Sequence, residues 1–243
     1  MQFLKIANYI RSIIFLPATV TLFILYSLGA PFLTISTKNI KQAYIRVARV
    51  WAQHLLRLAG ITVTAEGLEN VPMDQTCIFV SNHQSMIDIF ICFGYIPKYI
   101  GFFAKKSLFS IPYYGWILKI SGSIPIDRSD AKKDFSTLES AAQKIKQGQD
   151  LIIYPEGTRS GKPQLNSFKR GCVVLASKSQ AVIIPTAIKD SYKAVRKGSI
   201  QVYPAHLSIS FGKPVKVPEN STRKQHMVIV KKLENEISDM LRR

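Results

Sequence analysis

Acidic residues are missing from the start of this sequence. No Asp or Glu occurs before Glu66, while residues 1–65 carry seven cations: Lys5, Arg11, Lys38, Lys41, Arg46, Arg49 and Arg57. Cysteine is scarce as well. Cys77, Cys92 and Cys172 stand singly in apolar runs, with no CxxC and no cysteine–histidine cluster. Such spacing argues against a disulfide framework or a zinc site and suits a reducing cytosolic compartment. RNP, KH and helix-turn-helix signatures are absent, so the basic balance does not read as nucleic-acid binding. The sequence also lacks internal repeats, low-complexity tracts and long linkers.

What is present combines charge with apolar content. Lys and Arg number 33 against 15 Asp and Glu, a formal charge of +18, yet 47% of the 243 residues are hydrophobic and the mean hydropathy is +0.09. The charge calls for an anionic partner, and the hydrophobic content argues against a disordered basic tail. A membrane surface satisfies both. From Ser12 to Thr37 no residue is charged, which is long enough for a bilayer crossing of about 20 apolar residues. Pro17, Gly29 and Pro31 interrupt the run, so it reads either as a spanning helix or as one dipping into a single leaflet. Residues 38–59 place Ile45, Ala48, Ala52, Leu55 and Ala59 on one helical stripe and Gln42, Arg46, Arg49, Gln53 and Arg57 on the opposite one. A cationic amphipathic helix of this kind suits an anionic headgroup layer, and an ordinary core-packing helix with solvated arginines is the plainer alternative.

After residue 60 the pattern changes. Short apolar runs at Ile61–Ala65, Cys77–Ser81, Tyr99–Ala104, Ser123–Ile126, Leu151–Tyr154, Val182–Thr186 and Leu207–Phe211 read as strands. Helical patterns lie between and after them, the clearest at Ala131–Gln147, with Asp130 as N-cap and Gly148 as stop, and at Lys224–Arg243. The alternation indicates an α/β fold, a three-layer domain with a mixed, largely parallel sheet, preceded by a two-helix membrane-associating segment. Residues 1–59 form the membrane-associating helices in this reading and 60–243 a single domain.

Four histidines occur. His54 falls in the amphipathic helix, and His206 and His226 read as surface positions. His83 differs, because it follows an apolar strand where a helix begins, and in open α/β sheets sites form beyond the carboxyl ends of strands. Asp88 lies five residues on. Along a continuous helix that spacing turns the two about 140° apart. With His83 in the turn and Asp88 in the helix, the carboxylate reaches Nδ1 and leaves Nε2 free as a base. For an isolated pair, a capping histidine and an aspartate at the positive helix start is the plainer reading. Ser85 is a further option as nucleophile, but no GxSxG elbow exists in the chain. A base without a protein nucleophile suggests that the substrate brings the attacking hydroxyl.

A second constellation, Tyr154-Pro155-Glu156-Gly157-Thr158-Arg159, directly follows a strand. Gly157 permits a turn with positive φ. Arg159 offers a planar fork for a phosphate, and Glu156 either accepts a hydrogen bond from a hydroxyl or holds Arg159. Alone, the segment also reads as a polar turn with a local ion pair. Lys105 and Arg128 lie at two more strand ends.

Together these segments resemble the glycerolipid acyltransferases of the PlsC type, in particular the 1-acyl-sn-glycerol-3-phosphate (lysophosphatidic acid) acyltransferases. Asn82-His83-Gln84-Ser85-Met86-Ile87-Asp88 matches the N-H-x₄-D block. Gly122 to Arg128 matches G-x-I-x-I-D-R with Pro125 an unusual middle residue, and Pro155 to Ser160 matches P-E-G-T-R-S. Ile183-Ile184-Pro185-Thr186 resembles the fourth block, and Ala104-Lys105 through Gly115 the stretch between the first two. The resemblance implies transfer of an acyl group from acyl-carrier protein or acyl-CoA to the sn-2 hydroxyl of lysophosphatidic acid, giving phosphatidic acid. By the same resemblance His83 is the base and Asp88 orients it. Glu156, Gly157, Thr158 and Arg159, with Lys105 and Arg128, would hold the glycerol phosphate. No metal or cofactor is implied, and the oxyanion donors are either backbone N–H groups near Gly157 or a lysine. The implied location is the cell membrane, with the catalytic part on the cytoplasmic side. Another acceptor, such as glycerol 3-phosphate, another lysophospholipid or a lyso-aminolipid, stays open. So does a non-catalytic lipid-binding protein, though lipid adhesion needs neither His83 with Asp88 nor the P-E-G-T-R block.

Overall fold

The computed structural model describes residues 2–37, 40–112, 114–126 and 131–243. Two N-terminal helices, α1 (Gln2–Thr37) and α2 (Ile40–Leu58), lead into β1 (Ile61–Glu66) and β2 (Cys77–Ser81). Then come α3 (Asp88–Tyr95), β3 (Ile100–Lys105), α4 (Tyr114–Ile120), β4 (Ile124–Ile126), α5 (Ala131–Lys146) and β5 (Asp150–Ile153). The chain ends with α6 (Gly171–Ser179), β6 (Val182–Lys189), α7 (Ser191–Ala194), β7 (Ala205–Phe211) and α8 (Arg223–Arg242). Each apolar run expected as a strand forms one, with ends displaced by a few residues at most. Asp130, the expected cap of α5, lies outside the described residues.

The strands form one sheet in the order β1-β7-β6-β2-β5-β3-β4. Only the β6–β7 pairing is antiparallel. Central β2 is buried along its whole length. Cys77 and Phe79 point to the core shared with α2 and α3, and Ile78 and Val80 to the core shared with α5, α6 and α8, as the two-residue period of a strand requires. The chain therefore leaves β2 toward one face, through α3, and leaves neighbouring β5 toward the other, through α6. Opposite departures from adjacent parallel strands open a crevice at their carboxyl ends.

The N-terminal helices share the first core, since Phe15, Leu56 and Ala59 belong to it. The backbone of α1 stays helical through Pro17 and Pro31. Its stretch Ala7–Gly29 is the one helix among the described residues long and apolar enough to cross a membrane, and Tyr9, Ile10, Ile13, Ile14 and Leu28 are exposed on it. The cationic stripe expected along α2 is divided. Arg46 and Arg57 are exposed, but Gln53 Nε2 donates to the Gly94 carbonyl of α3 at 3.0 Å, and Arg49 Nε is buried without a partner among the described residues. The apolar stripe faces the protein, with Ala52, Leu55 and Ala59 buried where α1 and α3 pack. His226 is also corrected. It is buried on α8, bonded through Nε2 to Ser221 Oγ at 2.8 Å, and burial lowers its pKa.

At the end of the sheet opposite the crevice, Lys98 Nζ and Asp150 Oδ1 pair at 3.2 Å, both nearly inaccessible to solvent. Asp150 also accepts from the Cys77 amide at 2.7 Å, and Lys98 donates to the Pro72 and Gln75 carbonyls. Burial still raises the Asp150 carboxyl above its ordinary value. Removing one member of such a pair leaves the other charged and unsolvated, so Lys98→Met is expected to cost about 3–5 kcal/mol. Denaturant unfolding of the solubilised protein measures this, and an unchanged midpoint would refute it.

Candidate active site

The crevice is built from the turns after β2 and β5. His83 follows the end of β2, and Asp88 is the first residue of α3. The intervening turn brings His83 Nδ1 to 2.8 Å from Asp88 Oδ2. The same oxygen accepts from the backbone N–H groups of Gln84 at 2.8 Å and Ser85 at 3.0 Å. An ionised carboxylate only accepts, so Nδ1 carries the proton and Nε2 presents its lone pair. Asp88 is fully buried, whereas the His83 side chain is 17% exposed and lines the crevice. The histidine is therefore neither a cap nor coaxial with α3. Ser85 is no nucleophile here, because its buried hydroxyl donates to the Val195 carbonyl at 2.7 Å.

The turn after β5 secures His83 from the other side. Tyr154 stacks on the imidazole with centroids 4.0 Å apart and planes 17° from parallel. Burial holds its phenol well above the ordinary range, with Cys92 and Asp88 adding to the effect. Glu156 is buried beneath the turn. Its Oε1 accepts from the His83 amide at 2.7 Å and its Oε2 from the Asn166 amide at 2.9 Å. In return, the Ser160 amide donates to the His83 carbonyl at 2.7 Å, which closes a two-way backbone clamp between the turns. Burial raises the Glu156 carboxyl above its ordinary value even though both amides favour its charged form. Glu156 thus bonds backbone on each oxygen; among the described residues it forms no bond to Arg159, and it is not among the residues lining the cavity. Gly157 adopts φ +73°, and a Cβ there would lie 3.2 Å from Lys169 Nζ. Its own N–H donates to the Tyr154 carbonyl at 3.0 Å, so that amide is not available as an oxyanion donor.

A cavity of about 1740 Å³ opens at this point, lined by His83, Lys105 and Gly157. It extends along both faces of the sheet, past Trp51, Phe90 and Phe102 on one and past Leu138, Ile153 and Leu175 on the other. Lys105, the last residue of β3, is exposed on its wall. Thr158 and Arg159 continue the turn after β5 but are not among the lining residues, and Arg128 lies outside the described residues. The wall also contains two cations that the motif reading misses, Lys169 and Arg170, at the N-terminus of α6. The signal for them is the tandem cation in Phe168-Lys169-Arg170-Gly171, just before a helix-opening glycine. The positive end of a helix together with two cations suits an anion. Among the described residues, no group of three or more His, Cys, Asp or Glu is placed to hold a metal.

A family model described as Acyltransferase matches residues 62–189, more than half of the chain. The chain is 30% identical over 202 residues to a chloroplastic 1-acyl-sn-glycerol-3-phosphate acyltransferase of Arabidopsis thaliana, covering 81% of this chain and 56% of that protein. It is 39% identical over 129 residues to the 1-acyl-sn-glycerol-3-phosphate acyltransferase of Helicobacter pylori, covering 53% and 54%. It thus spans a little over half the length of these relatives. The crystal structure of the 1-acyl-sn-glycerophosphate acyltransferase PlsC from Thermotoga maritima superposes with a TM-score of 0.86 over 98% of this chain and 96% of that one. At 24% identity, that likeness shows the shared fold.

The Glu156 clamp can be tested directly. In Glu156→Gln, one carboxylate oxygen becomes an NH₂ facing a backbone N–H. A buried donor left without an acceptor costs about 1–3 kcal/mol, whereas exposed Thr158→Ala is expected to stay within about 0.5 kcal/mol. Equal unfolding midpoints for the two variants would refute the clamp.

Proposed function

The chain belongs to the acyltransferase family, and we propose that it transfers a fatty acyl group from an acyl thioester to the sn-2 hydroxyl of 1-acylglycerol 3-phosphate, giving phosphatidic acid. The observation carrying this reading is the His83–Asp88 pair, 2.8 Å apart, at the junction of an apolar cavity with a cationic wall. Nε2 takes the proton of the acceptor hydroxyl as its oxygen attacks the thioester carbonyl. The tetrahedral intermediate then collapses, the C–S bond breaks, and the imidazolium returns the proton to the leaving thiolate. Asp88 keeps Nδ1 protonated and stabilises the transient imidazolium. A positioned base of this kind contributes about 10²–10⁴-fold. The oxyanion is met by the backbone amides following Gly157.

Lys105 and Lys169, with the N-terminus of α6, receive the acceptor phosphate, and Arg159 and Thr158 approach it from the outer side of the turn. Glu156 serves the site through His83 and not by touching substrate. The two apolar arms of the cavity suit fatty chains, one from the thioester and one from the acceptor. The donor is acyl-carrier protein or acyl-CoA. The reaction takes place at the cytoplasmic face of the cell membrane, with α1 in the lipid. An acceptor cannot leave its leaflet cheaply, since each CH₂ exposed to water costs about 0.8 kcal/mol, so the enzyme must come to the lipid.

The deciding experiment assays purified protein on a panel of lysolipids and glycerol 3-phosphate with both donor types. Lysophosphatidic acid is expected to be the preferred acceptor, and preference for a phosphate-free lysolipid would reject the reading. His83→Ala is expected to lower turnover at least about 10²-fold while the protein stays folded; full activity would end the base assignment. Lys169→Ala and Arg159→Ala are each expected to raise KM for the phosphate-bearing acceptor about tenfold or more, the scale of one charge-assisted hydrogen bond. Neither change should matter for a monoacylglycerol lacking the phosphate, and equal losses on both acceptors would move the phosphate elsewhere.

A further inference from the structure

The loop joining α7 to β7 contains the most exposed large apolar side chain among the described residues, Ile200, at 82%. The loop is internally bonded. Its base is closed by Tyr203 N donating to the Ala194 carbonyl at 2.9 Å, and a turn is formed by Ser199 N on the Arg196 carbonyl at 3.0 Å. Gln201 N donates to Ser199 Oγ at 2.9 Å, and the Tyr203 hydroxyl donates to Gln201 Oε1 at 2.6 Å. An isoleucine is thus held out in solvent by a hydrogen-bonded frame, against the usual preference of such a side chain for burial.

The position of the loop suggests what Ile200 meets. Because β1 and β7 run against β2, their first residues lie at the same end of the sheet as His83. Val202 N donates to Ser12 Oγ of α1 at 2.9 Å, on the turns where Tyr9, Ile10, Ile13 and Ile14 are exposed. At its root the loop touches both catalytic turns. Ser85 Oγ bonds the Val195 carbonyl, and Lys197 packs so closely on Gly161 that a Cβ there would lie 2.8 Å from its own. Arg196 and Lys197 are exposed and form no ion pair among the described residues. The one acid nearby in sequence, Asp190, is paired with Lys193 at 2.9 Å.

We propose that the loop Val195–Tyr203 is a second membrane contact, with Ile200 entering the lipid beside α1 and Arg196 and Lys197 meeting anionic headgroups. The inference rests on the membrane reading above and extends it. An apolar side chain continuous with the exposed face of α1 and rooted in unpaired cations matches a lipid interface. An acidic protein partner would account for the cations but not for Ile200. Contact at α1 and at this loop would fix the tilt of the crevice against the headgroups, so that an acceptor hydroxyl in the leaflet meets Nε2.

The test places an environment-sensitive fluorophore on Ile200→Cys in the full chain, where the three native cysteines are buried. Gln75→Cys, exposed before β2 at the opposite end of the sheet, is the control. With vesicles of phosphatidylcholine and phosphatidylglycerol, the label at 200 is expected to shift to the blue and the label at 75 to stay unchanged. Ile200→Asp is expected to weaken vesicle partitioning about tenfold, the scale of one buried aliphatic side chain, and to leave turnover of a water-soluble short-chain acceptor unchanged. A label at 200 that stays in water on protein sedimenting with the vesicles overturns the loop contact and leaves the membrane reading intact. A blue shift with an acidic carrier protein but not with vesicles overturns it in favour of a protein partner. Failure of the labelled protein to sediment at all overturns the membrane reading and the loop contact together.

Discussion

Asp88 Oδ2 gathers three N–H donors, one from the His83 ring and two from the Gln84 and Ser85 backbone. The rest of the crevice depends on that point. A buried carboxylate is expensive unless its charge is met by donors, and here the donors are supplied by the turn that has to be shaped. Meeting Oδ2 folds the turn, although Oδ1 is buried without a partner among the described residues, and the folded turn fixes the tautomer and direction of His83. The ring is then confined by Tyr154 stacked on it, and its backbone by Glu156 and Ser160. The imidazole is left one ring nitrogen, Nε2, without a partner among the described residues, in a side chain that lines the cavity.

The clamp also gives meaning to the sheet order. β2 and β5 are neighbours in space but are separated in sequence by two strands and three helices. Their outgoing chains diverge to opposite faces, so the cavity beyond them reaches apolar walls on both sides. Cations gather on the wall of that cavity because Lys105 ends β3 and Lys169 and Arg170 precede α6. An apolar cavity with cations on its wall is the arrangement expected for a molecule with a fatty chain and a phosphate.

Much of this is legible from local pattern. The central strands are visible as apolar runs, because a strand buried on both faces has no room for polar residues, whereas β1 and β7 alternate, buried on one face only. His83 and Asp88 are identifiable as a pair once the turn between them is admitted. Two expectations fail for a common reason. Glu156 and Arg159 look like partners because they are close in sequence, but Glu156 turns inward to backbone 73 residues away. His226 looks like a surface position because it starts a charged helix, though its ring is buried beside Ser221.

Local sequence is enough to set the order and type of the elements, the excess of positive charge, the apolar N-terminal helix and the residues able to act as base and orienter. Those properties depend on side chains a few positions apart, where helix and strand periods govern. Long-range packing is needed to make Glu156 a fastener for His83, to bring Lys169 into the cavity wall and to tie the loop carrying Ile200 to α1. Each of these depends on contacts between segments distant in sequence, set by strand order and by which buried polar groups must find a partner.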